Sequence, residues 1–300
     1  MDGTEKIYGG IDAGGTTFKC LLACSCQKII AEQAFPSTSP EETLANCIQF
    51  FADFKANGAG IQSLGIASFG PLDVDVTSPD YGLILPGPKS KWANINLRKK
   101  FARALNVPVA IDTDVNAALL AERAWGNAKG RASAAYMTVG TGIGAGLMSN
   151  GVILGKPSHP EFGHIRVERH PKDVDFAGVC SIHGGCLEGL ASGPALWARF
   201  GDPKDLPDEH IAWDILADYL AQACVALSLT LRCEVIILGG GVMKRQHLFA
   251  KIRTQYMRLI NRYLGQTKTD VAQLIIPPGL GSRAGAWGGI WLAQNAEEKT

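Results

Sequence analysis

The chain is predicted to be an α/β protein built of two similar lobes. Three observations predict this. A strand, a glycine-threonine turn and a second strand occur near the start, around Asp12-Ala-Gly-Gly-Thr-Thr17. The same arrangement returns near the middle, around Gly140-Thr-Gly-Ile-Gly-Ala-Gly146. After each turn, helical and strand patterns alternate, as in sheets with helical crossovers. At 300 residues, 46% hydrophobic and 19% charged, the composition suits two globular domains with full cores.

The totals also exclude some classes. A net charge of +1 offers no basic excess for nucleic acid. No apolar run approaches the ~20 residues of a membrane helix. The stretch Met1-Asp-Gly-Thr-Glu-Lys6 lacks the apolar segment of a signal peptide. A cytosolic location without membrane partners is expected. Eight cysteines in such a chain point to thiols or metal ligands more than to disulfides. Cys20, Cys24 and Cys26 alternate on a strand pattern. Cys47, Cys224 and Cys233 fall in or beside apolar helix patterns. These six read as small buried hydrophobes. Cys180 and Cys186 stand apart.

In the first half, strands are expected at 6–11, 18–23 and 28–35. Gly14 and Gly15 let backbone N–H groups approach an anion, and Thr16 and Thr17 add hydroxyl donors. Asp12, at the strand end, is placed to hold Mg²⁺ through water. An ordinary hairpin turn is the alternative for this segment. A helix over 40–56 has a cap at Ser39, a first-position Pro40 and the acids Glu41 and Glu42. A strand follows at 61–67. The loop 77–96 is long enough to suggest function. Its Trp92 packs on a sugar face or serves as a structural anchor. A helix at 97–105 and a strand at 107–111 lead to Asp112-Thr-Asp-Val-Asn116 and a helix over 117–128. Catalytic residues of α/β proteins lie at this carboxyl edge of the sheet. Of Asp112 and Asp114, one is expected to cap the helix and the other, Asp114, to be catalytic.

The second half repeats the pattern. A strand at 134–139 enters the Gly140–Gly146 turn, and another strand runs through Met148. Helices are expected at 187–199, 211–231, after the glycine turn to about residue 263, and at 284–293. Strands are expected at 235–238 and 274–276. Gly239-Gly-Gly241 follows a strand and precedes a helix, so a flat or charged ligand can lie against its backbone. Neither the P-loop nor the Rossmann spacing is present. Two phosphate turns in duplicated halves imply a nucleotide in a cleft between two lobes.

Cys180-x-x-His183-x-x-Cys186 supplies three soft ligands at short spacing. Zinc takes four sulfur or nitrogen ligands tetrahedrally, and His164 is the best fourth, with His159 and His170 as rivals. Such a knot would pin Glu161 and Glu188 to one frame.

Taken jointly, Asp12-Ala-Gly-Gly-Thr16 with Lys19, Asp114, Gly140-Thr-Gly-Ile-Gly144, Glu161-Phe-Gly-His164, Gly185-Cys-Leu-Glu188 and Gly239-Gly-Gly241 resemble the ROK sugar kinases. The resemblance spans nearly the whole chain and is closest to the fructokinase branch. It implies the two-lobed actin-like ATPase (ribonuclease H-like) fold with duplicated lobes and a zinc-binding insertion. Residues 1–116 would form a small lobe, with the last helix, 284–300, packing back on it. Residues 117–283 would form a large lobe, with the zinc-binding segment at 159–188.

The resemblance also implies an activity: ATP-dependent phosphorylation of a hexose, D-fructose at its 6-hydroxyl above others. Asp114 would deprotonate that hydroxyl, and Mg²⁺ near Asp12 would bridge the phosphates. Gly14, Gly15, Thr16 and Thr17, with Gly140, Thr141 and Gly142, would grip the phosphates. Gly239, Gly240, Gly241 and Val242 would receive the adenosine. Glu161, His164 and Glu188 would bind sugar hydroxyls, His164 using one ring nitrogen for zinc and the other for sugar. Thr113 stands where relatives acting on glucose or N-acetylmannosamine carry Asn, so it would read a different hydroxyl pattern. Most members hold zinc with three cysteines and one histidine, and His183 departs from that set. A broader hexokinase for mannose and glucose is the alternative. A regulator with a helix-turn-helix in front is not expected, since the first strand begins near Lys6. A homodimer is expected from relatives.

Overall fold

The computed structural model describes residues 6–56, 60–87 and 90–296. Expectations placed on residues 1–5, on Pro88 and Lys89 in the long loop and on 297–300 of the last helix lie outside the described residues. The chain runs β1 (Ile7–Ala13), β2 (Thr17–Cys24), β3 (Ile29–Pro36), α1 (Pro40–Ala56), β4 (Ser63–Ser68), α2 (Leu97–Leu105), β5 (Val109–Thr113) and α3 (Asp114–Trp125). It continues with β6 (Ala134–Val139), β7 (Ile143–Ser149), β8 (Val152–Ile153), α4 (Leu187–Ala191), α5 (Gly193–Phe200) and α6 (Ile211–Leu231). It closes with β9 (Val235–Gly239), α7 (His247–Ile260), α8 (Lys268–Leu274), β10 (Ile275–Ile276) and α9 (Ala284–Gln294).

Two compact units result. The first comprises the described residues through Gly126, Gly155–His159 and those from Arg283 onward; the second comprises Asn127–Leu154 and Pro160–Ser282. Each carries a five-stranded mixed sheet. The first has the order β3-β2-β1-β4-β5, and the second β8-β7-β6-β9-β10. In each, the first three strands pair antiparallel and the last two join in parallel. The repeat of strand, glycine turn and strand therefore extends to the whole sheet.

In the first unit, α9 lies directly on β1 and β4. A Cβ on Gly65 would sit 1.9 Å from Gly289 O, and one on Gly10 would sit 2.6 Å from Ala286 O. Only residues without a side chain permit that approach. On α9, a Cβ at Gly288 would meet the Ala117 backbone carbon at 2.5 Å, so α3 is seated against the same helix. This packing carries the first unit through α3, beyond the boundary at 116 expected from sequence.

Trp92 belongs to the core of this unit. Its ring stacks on Phe18 at 5.0 Å and meets Phe69 edge-on at 5.8 Å, leaving it 4% exposed. No face remains for a sugar, so the anchor reading stands and the sugar-stacking role is corrected. Cys24 and Cys26 are also corrected. They form a disulfide across the β2–β3 turn, where the chain reversal brings their Cα atoms to 5.2 Å. Cys20, Cys47, Cys224 and Cys233 are buried free thiols, as expected.

The second unit packs its sheet on α6 and α7. Helix α6 is long and apolar enough, by composition, to cross a membrane. The expectation that no apolar run nears that length is corrected. Its apolarity serves the core: Trp213, Leu216, Leu220 and Leu227 are buried with Met137, Val139 and Ile236. The helix expected over 187–199 is two helices. Ser192 is extended (φ −75°, ψ 166°) and caps α5, whose first turn holds Pro194. Helix α8 was not expected, although Thr267 and Asp270 form a reciprocal capping box at its start.

Candidate active site

The segment Asp112–Asn116 spans the end of β5 and the start of α3. Thr113 is the helix cap, accepting from Asn116 N at 3.3 Å. Neither aspartate takes that role, which corrects the division of labour expected between Asp112 and Asp114. Thr113 is 4% exposed, and its hydroxyl oxygen is engaged by the backbone of the helix it caps. Asp112 is a buried anchor. Its Oδ1 accepts from Thr113 N at 2.7 Å and Asn116 Nδ2 at 2.9 Å, and its Oδ2 receives Lys156 Nζ at 2.7 Å. Asp114 is the first residue of α3 and half-buried, with Oδ1 accepting from Val115 N at 2.9 Å. A carboxylate at a helix N-terminus is stabilised as the anion by the exposed N–H groups.

The first glycine turn joins β1 to β2. Gly14 N donates to Thr17 O at 3.0 Å, closing the turn and leaving Gly15 and Thr16 exposed. Asp12 is the last but one residue of β1 and pairs in register with Lys19. Lys19 Nζ lies 3.3 Å from Asp12 Oδ2. Burial raises the Asp12 carboxyl above its ordinary range, and Lys19 pulls it back only in part. A Cβ at Gly285 would lie 2.6 Å from the Asp12 carboxyl carbon, so α9 leaves a place for this side chain by having none there. Mg²⁺ takes carboxylate oxygens and waters, so Asp12 is the residue here that could hold one, with Lys19 as a competing cation.

In the second unit, the turn Gly140–Gly142 joins β6 to β7. Gly140 N donates to Gly142 O at 2.9 Å, and Gly193 N at the head of α5 donates to Gly140 O at 2.8 Å. Thr141 is exposed at the tip. Gly239 ends β9, and Gly240 has φ +94° with a would-be Cβ 2.4 Å from Val139 O, so the chain turns there only as glycine. Gly241 is exposed and opens a 3₁₀ turn, Val242–Lys244, ahead of α7.

The acids expected to read sugar flank this second turn. Glu188 is the second residue of α4, and its Oε2 accepts from Ile143 N at 2.9 Å. Glu161 precedes the 3₁₀ turn Phe162–His164 and is exposed. Its Oε2 lies 3.9 Å from His164 Nε2.

His164, Cys180, His183 and Cys186 converge, with one donor atom of each within 4.8 Å of the others. His164 Nδ1 lies 3.4 Å from Cys186 Sγ and 3.8 Å from Cys180 Sγ, and His183 Nδ1 lies 3.8 Å from Cys180 Sγ. A tetrahedral zinc with arms of about 2.3 Å to sulfur and 2.0 Å to nitrogen has edges of roughly 3.5 Å. The donor set and its spacing therefore fit zinc. His159 and His170 lie elsewhere: His159 Nε2 accepts from Leu72 N, and His170 Nδ1 accepts from Lys172 N.

Sequence reasoning missed the residues that hold these groups from behind. Lys156 is one, and nothing in its local pattern marks it. A second set is Asp173, Arg199 and Tyr219. Arg199 Nη1 donates to Asp173 Oδ2 at 2.5 Å, Tyr219 OH donates to the same oxygen at 2.7 Å, and Arg199 Nη2 donates to Leu190 O. Leu190 is in α4, so this buried network grips the helix that carries Glu188. Burial and the Asp173 carboxylate push the Tyr219 hydroxyl up to about 12. An i,i+3 or i,i+4 scan finds none of these pairs, because their members lie far apart in sequence.

Two mixed five-stranded sheets of the same strand order, each with a glycine turn between its first two strands, define an α/β protein with a repeated unit. The model of the ROK family matches residues 8–296, and the chain belongs to that family. It is 43% identical to a fructokinase of Zymomonas mobilis over 100% of both chains. It is 40% identical to a fructokinase of Streptococcus mutans over 94% of this chain and 95% of that one. Its fold resembles that of a ROK hexokinase from Thermus thermophilus, with a TM-score of 0.74 and 24% identity over 98% of this chain and 100% of that chain.

Proposed function

We propose that this protein transfers the γ-phosphoryl group of ATP to a hexose, D-fructose, to give fructose 6-phosphate. The observation that carries the reading is full-length identity of 43% to a fructokinase. The placement of Asp114 at the start of α3 supports it.

In this reading Asp114 accepts the proton of the attacking hydroxyl. Phosphoryl transfer passes through a loose transition state, so positioning and charge neutralisation carry most of the catalysis. Gly14 to Thr17 and Gly140 to Gly142 present backbone N–H groups and hydroxyls to the phosphate oxygens. Gly239 to Val242 receive the adenosine. Glu161, His164 and Glu188 accept from or donate to sugar hydroxyls, His164 through Nε2, since Nδ1 faces the sulfurs. Thr113, as the cap of α3, orients the helix start that carries Asp114. Mg²⁺ at Asp12, when bound, neutralises phosphate charge. Zinc on His164, Cys180, His183 and Cys186, when bound, supplies rigidity to the segment bearing Glu161 and Glu188.

The same strand order in the two sheets supports an actin-like ATPase fold with duplicated lobes and a zinc-binding insertion. We further infer a cytoplasmic homodimer, which sedimentation would check. The deciding experiment is ADP release over a panel of hexoses with product analysis. Fructose-stimulated release with 6-phosphate product supports the reading. Equal use of mannose and glucose would mark a broader hexokinase, and no hexose stimulation would leave a binding role.

A further inference from the structure

Ile143 closes the second glycine turn, and its backbone meets both segments expected to read the sugar, one by a hydrogen bond and one by close packing. Its N–H donates to Glu188 Oε2 at 2.9 Å. Its carbonyl lies against Gly163, in the 3₁₀ turn between Glu161 and His164, so closely that a Cβ there would be 1.8 Å from the oxygen. Glu188 also crowds the turn itself: a Cβ on Gly142 would sit 2.6 Å from Glu188 Oε2. The other end of the turn is tied by Gly193 N to Gly140 O at 2.8 Å, at the head of α5 and just beyond α4. The turn closes on itself through Gly140 N and Gly142 O and is held between the paired strands β6 and β7; these contacts add a second frame around it. It is framed by α4, the start of α5 and the Phe162–His164 turn.

We propose that Glu188 is a positioning residue for the Gly140–Gly142 turn as well as a sugar ligand, so that hexose and nucleotide bind cooperatively through the Glu188–Ile143 hydrogen bond. This rests on the kinase reading above. An ionised carboxylate has about four acceptor positions, so one oxygen can serve Ile143 while the group also accepts from a hydroxyl. A hexose that immobilises Glu188 fixes the turn's frame, and the nucleotide then meets a turn already ordered. Linkage makes the effect reciprocal: each ligand tightens the other by the same factor. Fixing one side chain in advance is worth about two- to tenfold in affinity.

The test is calorimetric titration of the full chain with the non-hydrolysable analogue AMPPNP, with and without fructose. Fructose is expected to tighten AMPPNP binding by about two- to tenfold. The route is read from two variants without fructose. Glu188→Gln and Glu188→Ala both remove the negative charge, but only Gln keeps an acceptor for Ile143 N–H. The Ala variant is expected to bind AMPPNP about three- to tenfold more weakly than the Gln variant, the worth of one net hydrogen bond. A wild-type chain that binds AMPPNP identically with and without fructose overturns the proposal and leaves the kinase reading intact. This arm needs no variant to fold. Equal affinities of the Glu188 variants overturn it as well. A wild-type chain that binds no AMPPNP at all overturns the kinase reading and this proposal together.

Discussion

Lys156 Nζ lies 2.7 Å from Asp112 Oδ2, and the other oxygen of Asp112 holds Thr113 N and Asn116 Nδ2. A lysine from the segment after β8 therefore braces the residues on both sides of Asp114. Lys156→Met would leave a buried carboxylate with its charge uncompensated. Breaking a buried pair costs about 3–5 kcal/mol, and the partial exposure of Lys156 reduces that to roughly 1–3. Denaturant unfolding should show this loss, with a lower kcat. Lys156→Met combined with Asp112→Asn should recover much of the stability. If Lys156→Met alone is as stable and active as wild type, the bracing role is wrong.

Asp114→Asn keeps the shape of the side chain and removes the base. Turnover with fructose is expected to fall about 10²–10⁴-fold. AMPPNP affinity should not change, because Asp114 is assigned to the hydroxyl and not to the nucleotide. Near-normal turnover in this variant would end the assignment.

The metal cluster predicts stoichiometry and consequence. Atomic absorption should find one zinc per chain. Chelation should raise the KM for hexose and lower the unfolding temperature, since Cys186 directly precedes α4 and Glu188 lies two residues on. His183→Ala should lower zinc occupancy, because His183 Nδ1 faces Cys180 Sγ at 3.8 Å. Full zinc retention in that variant would remove His183 from the ligand set.

Tyr219 gives a pH test. Its hydroxyl donates to the Asp173 carboxylate, and its pKa is raised from 10.0 to about 12. A raised folded pKa means the stabilisation is complete below the unfolded value, near 10, and is lost as pH rises toward 12. Tyr219→Phe should therefore cost about 1.5–3 kcal/mol at neutral pH, the worth of a hydrogen bond to a charged group. The difference from wild type should shrink above pH 10 in urea titrations. A gap that stays constant to high pH would contradict the assigned bond.

Gly65→Ala tests how α9 is seated. The added methyl would fall 1.9 Å from Gly289 O, against backbone that cannot rotate away. Overpacking of this kind costs about 1–3 kcal/mol or more. Thermal unfolding should show it, and an unchanged melting temperature would mean that α9 shifts freely on β4.

By itself the sequence determined what depends on near neighbours. The two glycine turns, the helix start at Pro40, the span of α6 and the Cys180–Cys186 ligand spacing were legible because turn geometry, capping and short chelate loops are set by a few adjacent residues. The break at Ser192-Gly193-Pro194 and the capping box at Thr267 were equally local, and the pattern reading passed over them. Tertiary structure alone decided the rest. Whether Trp92 faces a ligand or a core depends on Phe18 in β2 and Phe69 just after β4, both distant in sequence. That Asp112 is a buried anchor and not a cap rests on Lys156, which meets one of its oxygens from 44 residues away. The tie between Glu188 and Ile143 spans 45 residues. Such pairs leave no periodic trace in the chain, because each forms only when packing brings two unrelated backbones within a hydrogen bond's length.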